Sequence, residues 1–312
     1  MAVIAVAGGT GGVGKTIVER LAQESKFQVI VLSRSTQKKE SVSQKVQHVQ
    51  IDYDDIPSMT KELERHNVHT VISAIGLLSD EASQSQVNLI DAAEKSSVTE
   101  RFIPSEFSFI QTPELLPVDP SIQWWLNAAD RLKASSLKYT RVISGFFMDY
   151  WGMPQVQTNL QPYSFGIDIG SGIAAISGDG TDVICMTYTC DMATYLVKAL
   201  DLDEWPEFSV IVGDQVTYNE ILAMAEEITG RKFQVSYDSL DQIKSGDITV
   251  PPMPKGAEYP MDELKETTAL VSRLTVNGVF DLPRENRLND RFPDVRPVTI
   301  KEFLEKAWGG RV

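Results

Sequence analysis

The sequence feature that most constrains the fold is a run of glycines close to the start of the chain. The run is Gly8-Gly9-Thr10-Gly11-Gly12-Val13-Gly14, and it directly follows the apolar segment Val3–Ala7. Gly8, Gly11 and Gly14 are three residues apart, a variant of the fingerprint that joins a buried strand to a helix and holds a dinucleotide pyrophosphate. A helix that starts after such a loop offers free N–H groups and the positive end of its dipole to phosphates. The loop therefore predicts a strand, a tight turn and a helix that together bind a phosphorylated ligand.

Apolar segments and helical patterns alternate through the first half of the chain. The predicted strands are short apolar runs: Val3–Ala7, Val29–Leu32, Val46–Ile51, Thr70–Ala74, Arg101–Ile103 and Tyr139–Ile143. Between them, apolar residues recur at helical spacing, as Ile17, Val18 and Leu21 do. Strands that alternate with helices indicate a parallel sheet with helices on both faces. We therefore predict an α/β fold with a Rossmann-like, doubly wound parallel sheet.

The pattern loosens in the second half, where Gly, Pro and aromatic residues are frequent. Strand–helix pairs return at Asp182–Leu200 and Phe208–Glu227, with Thr217 as the N-cap of the second helix. Thr299–Trp308 predicts a terminal helix. Val250–Pro260 contains four prolines, so it cannot be a regular element, and we interpret it as a flap over a site.

These patterns divide the chain into two domains. We predict a nucleotide-binding Rossmann domain over residues 1–150, on which residues 182–200 pack back. Residues 151–312 are expected to form a smaller α+β domain that completes a substrate cleft.

The glycine run also fits a second kind of phosphate site. Gly9–Thr16 matches G-x-x-x-x-G-K-[ST], in which Lys15 would contact phosphates and Thr16 would contact magnesium. That hypothesis needs an apolar strand that ends in an aspartate. Asp52 is the available residue, and it fits poorly because the strand before it is half polar.

The residue after the second strand favours the dinucleotide. Arg34 stands there, 20 residues after Gly14. An NAD enzyme places Asp or Glu at this point to hold the ribose hydroxyls, whereas Arg suits the 2′-phosphate of NADP. Ser35, Lys38 and Lys39 add local donors. The sequence therefore predicts NADPH/NADP+ as the cofactor.

Composition excludes several classes of partner. The chain has 312 residues, with 43 acidic against 29 basic side chains and a net charge of −14. Nucleic-acid grooves and anionic membrane surfaces attract clustered Lys and Arg, so we expect neither partner. An apolar run of about 18 residues would indicate a membrane span, and the sequence contains none.

Cysteine and histidine usage predicts neither disulfides nor a metal. Cys185 and Cys190 are expected to be reduced core residues. His66 and His69 lack zinc spacing with cysteines, so solvated or capping roles are expected for them. The apolar N-terminus has no charged segment before it, so we read no signal peptide and predict a cytoplasmic protein.

At this point the sequence resembles a known family. The glycine run, Arg34, Ser73-Ala74-Ile75-Gly76 and Arg101–Phe107 resemble the NmrA-like and isoflavone-reductase-like branch of the atypical short-chain dehydrogenases. Tyr139–Tyr150 continues the likeness, and Val212-Gly213-Asp214 with Thr217–Gly230 is similar to the fungal members. The resemblance covers nearly the whole chain, and Pro104-Ser105-Glu106-Phe107 is its most specific motif.

The resemblance implies which residues hold the cofactor. It places Gly11, Gly12, Val13 and Gly14 at the pyrophosphate, with Gly8 and Thr10 in the same loop, and Arg34 at the 2′-phosphate. The remaining positions lie at strand ends. The resemblance assigns the adenosine half to Ala74, Ile75 and Gly76, and the nicotinamide end to Pro104, Ser105, Glu106, Gly145 and Phe146.

One departure from the family affects catalysis. Reductases of this group carry a lysine on the helix before the Tyr139–Ile143 strand, and Trp125 and Asn127 occupy those positions here. Asn127, Tyr150 or Tyr163 could replace that donor, because each can hydrogen-bond a carbonyl oxygen and the tyrosines can transfer a proton. Glu106 is a further candidate catalytic residue.

Aromatic residues cluster near the expected cleft. Trp124, Phe147 and Trp151 are predicted to contact the substrate. We assign Trp125 to the core, because it shares a helix face with Ile122, Ala129 and Leu132, whereas Trp124 lies about 100° around that helix. Asp149 and Glu106 could pair with a cationic substrate.

Two functions remain open. The first is an NADPH-dependent enzyme of fungal secondary metabolism that reduces, or redox-neutrally cyclises or rearranges, an aromatic or alkaloid-like intermediate. The second is a catalytically silent NADP(H)-sensing regulator that binds a protein partner, as the resemblance also allows. Either protein is expected to be a monomer or a homodimer.

Overall fold

Six parallel strands form the central sheet of the computed structural model, which describes residues 1–35 and 46–310. Their order across the sheet is β3-β2-β1-β4-β5-β6. The strands are β1 (Ala2–Ala7), β2 (Phe27–Ser33), β3 (Val46–Gln50), β4 (Val68–Ser73), β5 (Arg101–Ile103) and β6 (Lys138–Tyr139). The helices between them are α1 (Gly12–Ala22), α2 (Ile56–Arg65), α3 (Asp80–Lys95) and α4 (Gln123–Lys133).

The rest of the described chain forms three smaller sheets, seven α-helices and two short 3-10 helices, Pro113–Leu115 and Pro120–Ile122. The strands are β7 (Arg141–Ile143), β8 (Phe146–Phe147), β9 (Ile167–Asp168), β10 (Ile173–Ser177), β11 (Val183–Thr187), β12 (Phe208–Val210), β13 (Asp214–Thr217) and β14 (Gln234–Asp238). They pair in the orders β14-β10-β9, β13-β11-β8 and β12-β7. The helices are α5 (Asp149–Gly152), α6 (Thr189–Ala199), α7 (Tyr218–Thr229), α8 (Leu240–Ser245), α9 (Met261–Val276), α10 (Leu288–Arg291) and α11 (Ile300–Trp308).

Helices cover both faces of the central sheet because successive side chains along each strand point to opposite sides. On one face, Ile4 and Val6 pack with side chains of α1 and α6. On the other, Val3 and Ala5 pack with side chains of α2, α3 and α4. This two-sided burial explains why β1 and β2 are almost continuously apolar. The predicted doubly wound fold is confirmed.

The strand order creates a crevice at the ends of β1 and β4. The chain moves outward from β1 through β2 to β3, then returns to the other side of β1 as β4. Ligands of open α/β sheets bind where the strand order reverses in this way, beyond the carboxyl ends of the strands. The glycine run follows β1 and Ala74–Gly76 follow β4, so both lie at this crevice.

The segment Tyr139–Ile143 is two strands instead of the one predicted. Lys138 and Tyr139 pair with β5 at the edge of the central sheet, whereas Arg141–Ile143 pair with β12. Thr140 lies between them and its hydroxyl is 2.8 Å from that of Ser209. The chain therefore leaves the central sheet at this point and enters the second half of the molecule.

Other expectations have mixed outcomes. Thr217 caps α7, accepting a hydrogen bond from the Glu220 N–H, as predicted. On α4 the buried residues are Leu126, Ala128 and Leu132, so the assignment of Trp125 to the core is wrong.

The two cysteines also differ in their surroundings. Cys185 is buried, whereas Cys190 is exposed on the first turn of α6, so only the former is a core residue. Helix α6 packs against α1. The packing of residues 182–200 as a whole onto the first domain stays a prediction. The domain boundary at residue 150 stays a prediction.

Within the described ranges, the longest apolar helices fall short of what a membrane crossing requires. Over the same residues, no group of three or more His, Cys, Asp or Glu side chains is arranged to hold a metal ion.

Candidate functional site

Two of the loop glycines are required by close backbone packing. Gly8 has φ +74°, and a Cβ there would lie 2.3 Å from the carbonyl oxygen of Ala74. A Cβ on Gly14 would lie 2.3 Å from the carbonyl oxygen of Gly8. Real carbon–oxygen contacts are much longer, so neither position accepts a side chain without a backbone shift. These glycines bring α1 against the ends of β1 and β4.

Two other glycines of the loop, Gly11 and Gly12, face open space. A Cβ on Gly11 or on Gly12 would meet no protein atom within 4 Å. Gly11 is the N-cap of α1 and supplies no capping side chain, and the first turn of the helix contains no acidic residue. The first N–H groups of α1 are therefore free to bind an anion that approaches the backbone closely. This surface fits a pyrophosphate.

A cleft of about 390 Å³ extends from the glycine loop towards the end of β2. We call it the Arg34 cleft. Its lining includes Gly8 and Thr10 from the glycine run, Arg34 and Tyr53 beside β2 and β3, and Ser79, Glu81 and Ala82 at the start of α3. Arg34 is exposed and makes no ion pair within the described residues, so its guanidinium is available to a ligand phosphate.

Tyr53 forms one wall of the Arg34 cleft. The side chain is buried, and burial raises its pKa to about 12 although the positive charge of Arg34 acts in the opposite direction. Its ring is therefore a neutral, apolar surface beside a cation. Such a pairing suits a ligand that has an aromatic base and a phosphate.

A second cleft of about 460 Å³ begins on the other side of the glycine loop. We call it the Phe147 cleft. Gly8, Thr10, Ile75 and Gly76 line both clefts, so the two meet across the loop. The other lining residues are Gly11, Gly12, Val13, Ala74, Ser105, Glu106, Phe107, Phe147 and Leu160. A ligand that spans both clefts would therefore pass over the open glycines.

The surroundings of Lys15 and Thr16 contradict the phosphate-loop hypothesis. The Lys15 ammonium lies 3.7 Å from the carboxylate of Glu19, one turn along the same helix. Thr16 is buried, and its hydroxyl donates to the Gly12 carbonyl at 3.4 Å and accepts from Asn159 at 3.1 Å. Neither side chain lines the Arg34 cleft or the Phe147 cleft. The dinucleotide hypothesis is therefore the one that fits.

The loop after β5 is held from three sides. The Ser105 N–H donates to the buried side chain of Gln86 at 2.8 Å, and the Ser105 hydroxyl donates to the Ile75 carbonyl at 2.8 Å. Phe107 has φ +54°, a strained value for a residue with a side chain. Its N–H donates to the Val142 carbonyl at 2.9 Å, which helps to hold that conformation.

Glu106 forms a buried ion pair at the edge of the Phe147 cleft. Nε of Arg141 donates to both carboxylate oxygens at 2.8 and 2.9 Å, and Nη2 donates to the carboxylate and to the Gln111 carbonyl. Both side chains are at most 5% exposed. Burial raises the pKa of Glu106 to about 7, against the attraction of Arg141. Burial therefore favours the protonated form of this carboxyl, whereas the ion pair with Arg141 favours the ionised form.

The other candidate donors, Asn127, Tyr150 and Tyr163, line neither cleft. Asn127 is exposed on α4 and hydrogen-bonds Gln123 and Ser83, and it lines neither cleft. Tyr150 packs between the two main cores, where burial raises the pKa of its phenol. Burial also raises the pKa of Tyr163. Both phenols therefore stay protonated at neutral pH.

The aromatic residues divide between core and cleft. Phe147 lines the cleft, but Phe146 packs against Phe280 with ring centroids 4.1 Å apart. Trp151 is 1% exposed and packs against Phe146 and Tyr218. Phe146 was expected at the nicotinamide end and Trp151 at the substrate. Both expectations are corrected, because both rings are buried in the same hydrophobic core, away from a ligand.

Trp124 lies against α3. Its indole N–H donates to the Asp80 carboxylate at 2.6 Å, and it lines neither cleft. Gly145 is required by packing, because its φ is +68° and a Cβ would lie 2.1 Å from the Cys185 carbonyl oxygen.

The remaining predicted residues lie near the site or outside the described ranges. Pro104 is buried in the loop after β5, and Ser35 follows Arg34 at the end of β2. Lys38 and Lys39 lie outside the described residues. The carboxylate of Asp149 accepts from Thr158 and from the backbone and hydroxyl of Thr189, so it has internal partners.

Sequence reasoning missed several lining residues. Tyr53 stands three residues after the end of β3, and this closeness to a strand end is a signal that the sequence offers. Phe107 belongs to the Pro104–Phe107 motif, but the resemblance assigned only the first three residues of that motif to the cofactor. Leu160 belongs to an irregular segment without any periodic signal. Only the three-dimensional structure brings it to the Phe147 cleft.

Comparisons with known proteins show the family and the fold of this chain. A family model described as the NmrA-like family matches residues 1–303. The oxidoreductase swnN of Metarhizium robertsii is 31% identical over 99% of this chain and 98% of its own length. The oxidoreductase BOA1 of Botryotinia fuckeliana is 37% identical over 74% of this chain and 77% of its own. The solved structure of AtPrR2 with NADP+ and (+)pinoresinol has a TM-score of 0.74 at 20% identity, covering 97% of this chain and 98% of that one.

Proposed function

This chain belongs to the NmrA-like family, and from that premise we propose that it is an NADP(H)-dependent oxidoreductase. Its substrate would be an aromatic or alkaloid-like intermediate of fungal secondary metabolism, which it reduces or redox-neutrally cyclises or rearranges. The observation that carries the proposal is the pair of clefts that meet at Gly8 and Thr10 beside the open Gly11 and Gly12, with the exposed guanidinium of Arg34 at one end and apolar side chains at the other.

The residues of the Arg34 cleft support NADP(H) as the cofactor. Gly11 and Gly12 leave the space that a pyrophosphate needs, and the start of α1 supplies N–H donors. Arg34 would pair with the 2′-phosphate and Tyr53 would pack near the base. When bound, the dinucleotide would supply or accept hydride at its nicotinamide ring. The relative whose structure holds NADP+ has the same fold.

The walls of the Phe147 cleft support an aromatic substrate. Phe107, Phe147 and Leu160 form an apolar surface beside the open glycines. A flat ring packed on two aromatic side chains would gain roughly 1 kcal/mol per favourable ring contact beyond simple burial. The structure with (+)pinoresinol shows that a protein of this fold binds such a molecule.

The acid–base chemistry of the cleft favours a substrate with its own basic nitrogen. Glu106 is the one ionisable side chain among the described residues that line the Phe147 cleft, and Arg141 already holds its carboxylate. Reduction of a carbonyl requires a proton for the oxygen that gains charge. A substrate whose basic nitrogen carries or releases the proton removes that requirement. A redox-neutral cyclisation or rearrangement suits the same arrangement.

The same observation favours the second candidate function. A cleft with few proton donors is also expected of a catalytically silent regulator that senses NADP(H) and binds a protein partner. The apolar walls at Phe147 favour the enzyme, because a sensor of the dinucleotide alone has no need of a substrate surface.

Stereospecifically deuterated NADPH distinguishes the two functions. The protein is incubated with it and with extract from a strain that lacks the gene, and metabolites are compared by mass spectrometry. The enzyme predicts a metabolite that is consumed and gains deuterium, or one that is rearranged without net loss of NADPH. An unchanged metabolite profile together with a stoichiometric co-purifying protein would reverse the assignment. Size-exclusion chromatography with light scattering checks the predicted monomer or homodimer, and microscopy checks the cytoplasmic location.

A further inference from the structure

Four consecutive residues between α5 and β9 cross from α6 to α1, and each is fixed by a hydrogen bond. We call residues 157–160 the strap. The Tyr188 hydroxyl donates to the Gln157 carbonyl at 2.9 Å, and the Thr158 hydroxyl donates to the Asp149 carboxylate at 2.6 Å. The Leu160 N–H donates to the Thr158 hydroxyl at 3.2 Å. An irregular segment held at every residue has a defined position.

Asn159 attaches the strap to the helix that begins at the glycine loop. Its side-chain amide donates to the Thr16 hydroxyl at 3.1 Å and to the Glu19 carboxylate at 2.8 Å. Thr16 in turn donates to the Gly12 carbonyl at 3.4 Å, so the chain of bonds reaches the open glycines. The strap is therefore connected through Asn159 and Thr16 to the glycine loop on which the dinucleotide would lie.

Asp149 anchors the other end of the strap. Its side chain is fully buried and accepts from the hydroxyl of Thr158 and from the N–H and hydroxyl of Thr189, at the start of α6. A buried carboxylate with three donors is costly to displace. The acid that sequence reasoning offered to a cationic substrate thus holds the strap.

The strap separates two cavities. Its polar residues Gln157, Thr158 and Asn159 line a cavity of about 360 Å³ between α1 and α6. Leu160, the next residue, lines the Phe147 cleft and packs against the core on the α1 side of the sheet. The polar residues provide the anchors and the apolar residue provides the wall.

We propose that Leu160 sets the size of the substrate space at the nicotinamide end, and that Asn159 is a positioning residue that holds it there. This inference rests on the proposed function and adds a specificity-determining residue to it. A smaller side chain at position 160 opens the cleft to water and to bulkier substrates, and a larger one narrows it. Loss of the Asn159 amide releases the strap from α1 and has the same effect as a smaller residue 160.

Iodide quenching of the fluorescence of bound NADPH tests the proposal without a known substrate. Leu160→Ala and Asn159→Ala are expected to raise the quenching constant about two- to threefold, because water and iodide reach the nicotinamide end, whereas Leu160→Phe lowers it. The double variant of Asn159→Ala with Leu160→Ala should match the Leu160→Ala single variant, since one residue acts through the other.

Two controls separate this effect from a loss of folding. Leu202→Ala truncates another leucine packed against the same core but outside the cleft, and it should leave quenching at the wild-type value. Binding of adenosine 2′,5′-bisphosphate, which lacks the nicotinamide, should stay within about twofold in every variant because it reports the Arg34 cleft alone. Quenching that does not change at residue 160, or that rises equally with alanine and phenylalanine there, overturns the inference while NADPH binding still supports the proposed function. Failure of the wild-type protein to bind NADPH overturns both.

Discussion

Gly11 and Gly14 stand three residues apart in one loop, yet alanine is expected to affect them in opposite ways. At Gly11 the backbone is extended, with φ −155° and ψ 166°, and a Cβ would meet nothing within 4 Å. Alanine costs up to about 1 kcal/mol at an N-cap but gains about 0.4–1 kcal/mol by restricting the unfolded chain. The free energy of unfolding of Gly11→Ala should therefore stay within about 1 kcal/mol of wild type.

Gly14→Ala should destabilise the fold. Its Cβ would lie 2.3 Å from the Gly8 carbonyl oxygen and 3.0 Å from the Ala74 Cβ, so α1 must move by nearly 1 Å to relieve the overlap. Overpacking of this kind costs about 1–3 kcal/mol, which is only partly offset by the better helix propensity of alanine.

Gly11→Ala, which should leave stability nearly unchanged, is expected to weaken NADPH binding. The added methyl group at Gly11 projects into the space that the pyrophosphate would use, so NADPH affinity should fall at least tenfold, or about 1.4 kcal/mol. Urea unfolding and calorimetric titration with NADPH measure both quantities on the same preparations. A Gly11→Ala protein that binds NADPH as tightly as wild type would refute the reasoning, as would a Gly14→Ala protein of unchanged stability.

Three further changes test separate parts of the structure. Arg34→Ala removes a charged partner of the 2′-phosphate, so NADPH affinity should fall at least tenfold in calorimetry while NADH affinity stays constant; an unchanged ratio contradicts the assignment. Burial raises the pKa of Glu106 from 4.5 to about 7, so the folded protein binds this proton more tightly and its unfolding free energy falls as the pH rises between these values. Glu106→Gln should remove this pH dependence of the unfolding free energy, which urea unfolding at several pH values measures. The same pH dependence in wild type and variant would contradict the raised pKa of Glu106. Thr217→Ala breaks the reciprocal cap with Glu220 and should cost about 1 kcal/mol of unfolding free energy without changing NADPH affinity.

The features that sequence predicted are those encoded by neighbouring residues. The glycine spacing and the position of Arg34 depend on a single strand–turn–helix unit, and the cap at Thr217 depends on the Glu220 three residues later. Each of these features follows from the chain geometry of its own segment. The structure accordingly agrees with them.

The features that sequence missed depend on contacts between distant segments. Phe146 and Phe147 are both apolar, and alternation along a strand places one in the core and the other in the cleft without indicating which. On α4, Leu126 is buried in the core that contains Phe109 and Ile122, whereas the pattern favoured Trp125. Leu160 lines its cleft next to Asn159, which bonds to a helix more than a hundred residues earlier in the chain.

The candidate catalytic residues also depend partly on local sequence and partly on contacts between distant segments. The resemblance predicts that Trp125 and Asn127 occupy the positions of the family lysine, and the residues predicted to replace it are not equally placed. Asn127 lies outside both clefts. Glu106 lines one cleft and forms an ion pair with Arg141 that no local sequence pattern predicts. Glu106 is recognisable from its motif in the sequence. Arg141 is identified as its partner only in the folded structure.

The most direct test of the account is a calorimetric comparison of ligands on the wild-type protein. The account predicts one NADPH site per chain, with affinity at least about tenfold above that for NADH, and no binding of ATP with magnesium. The Lys15–Glu19 ion pair and the occupied Thr16 hydroxyl leave a triphosphate without its usual partners. Tighter binding of ATP with magnesium than of NADPH would contradict the central claim.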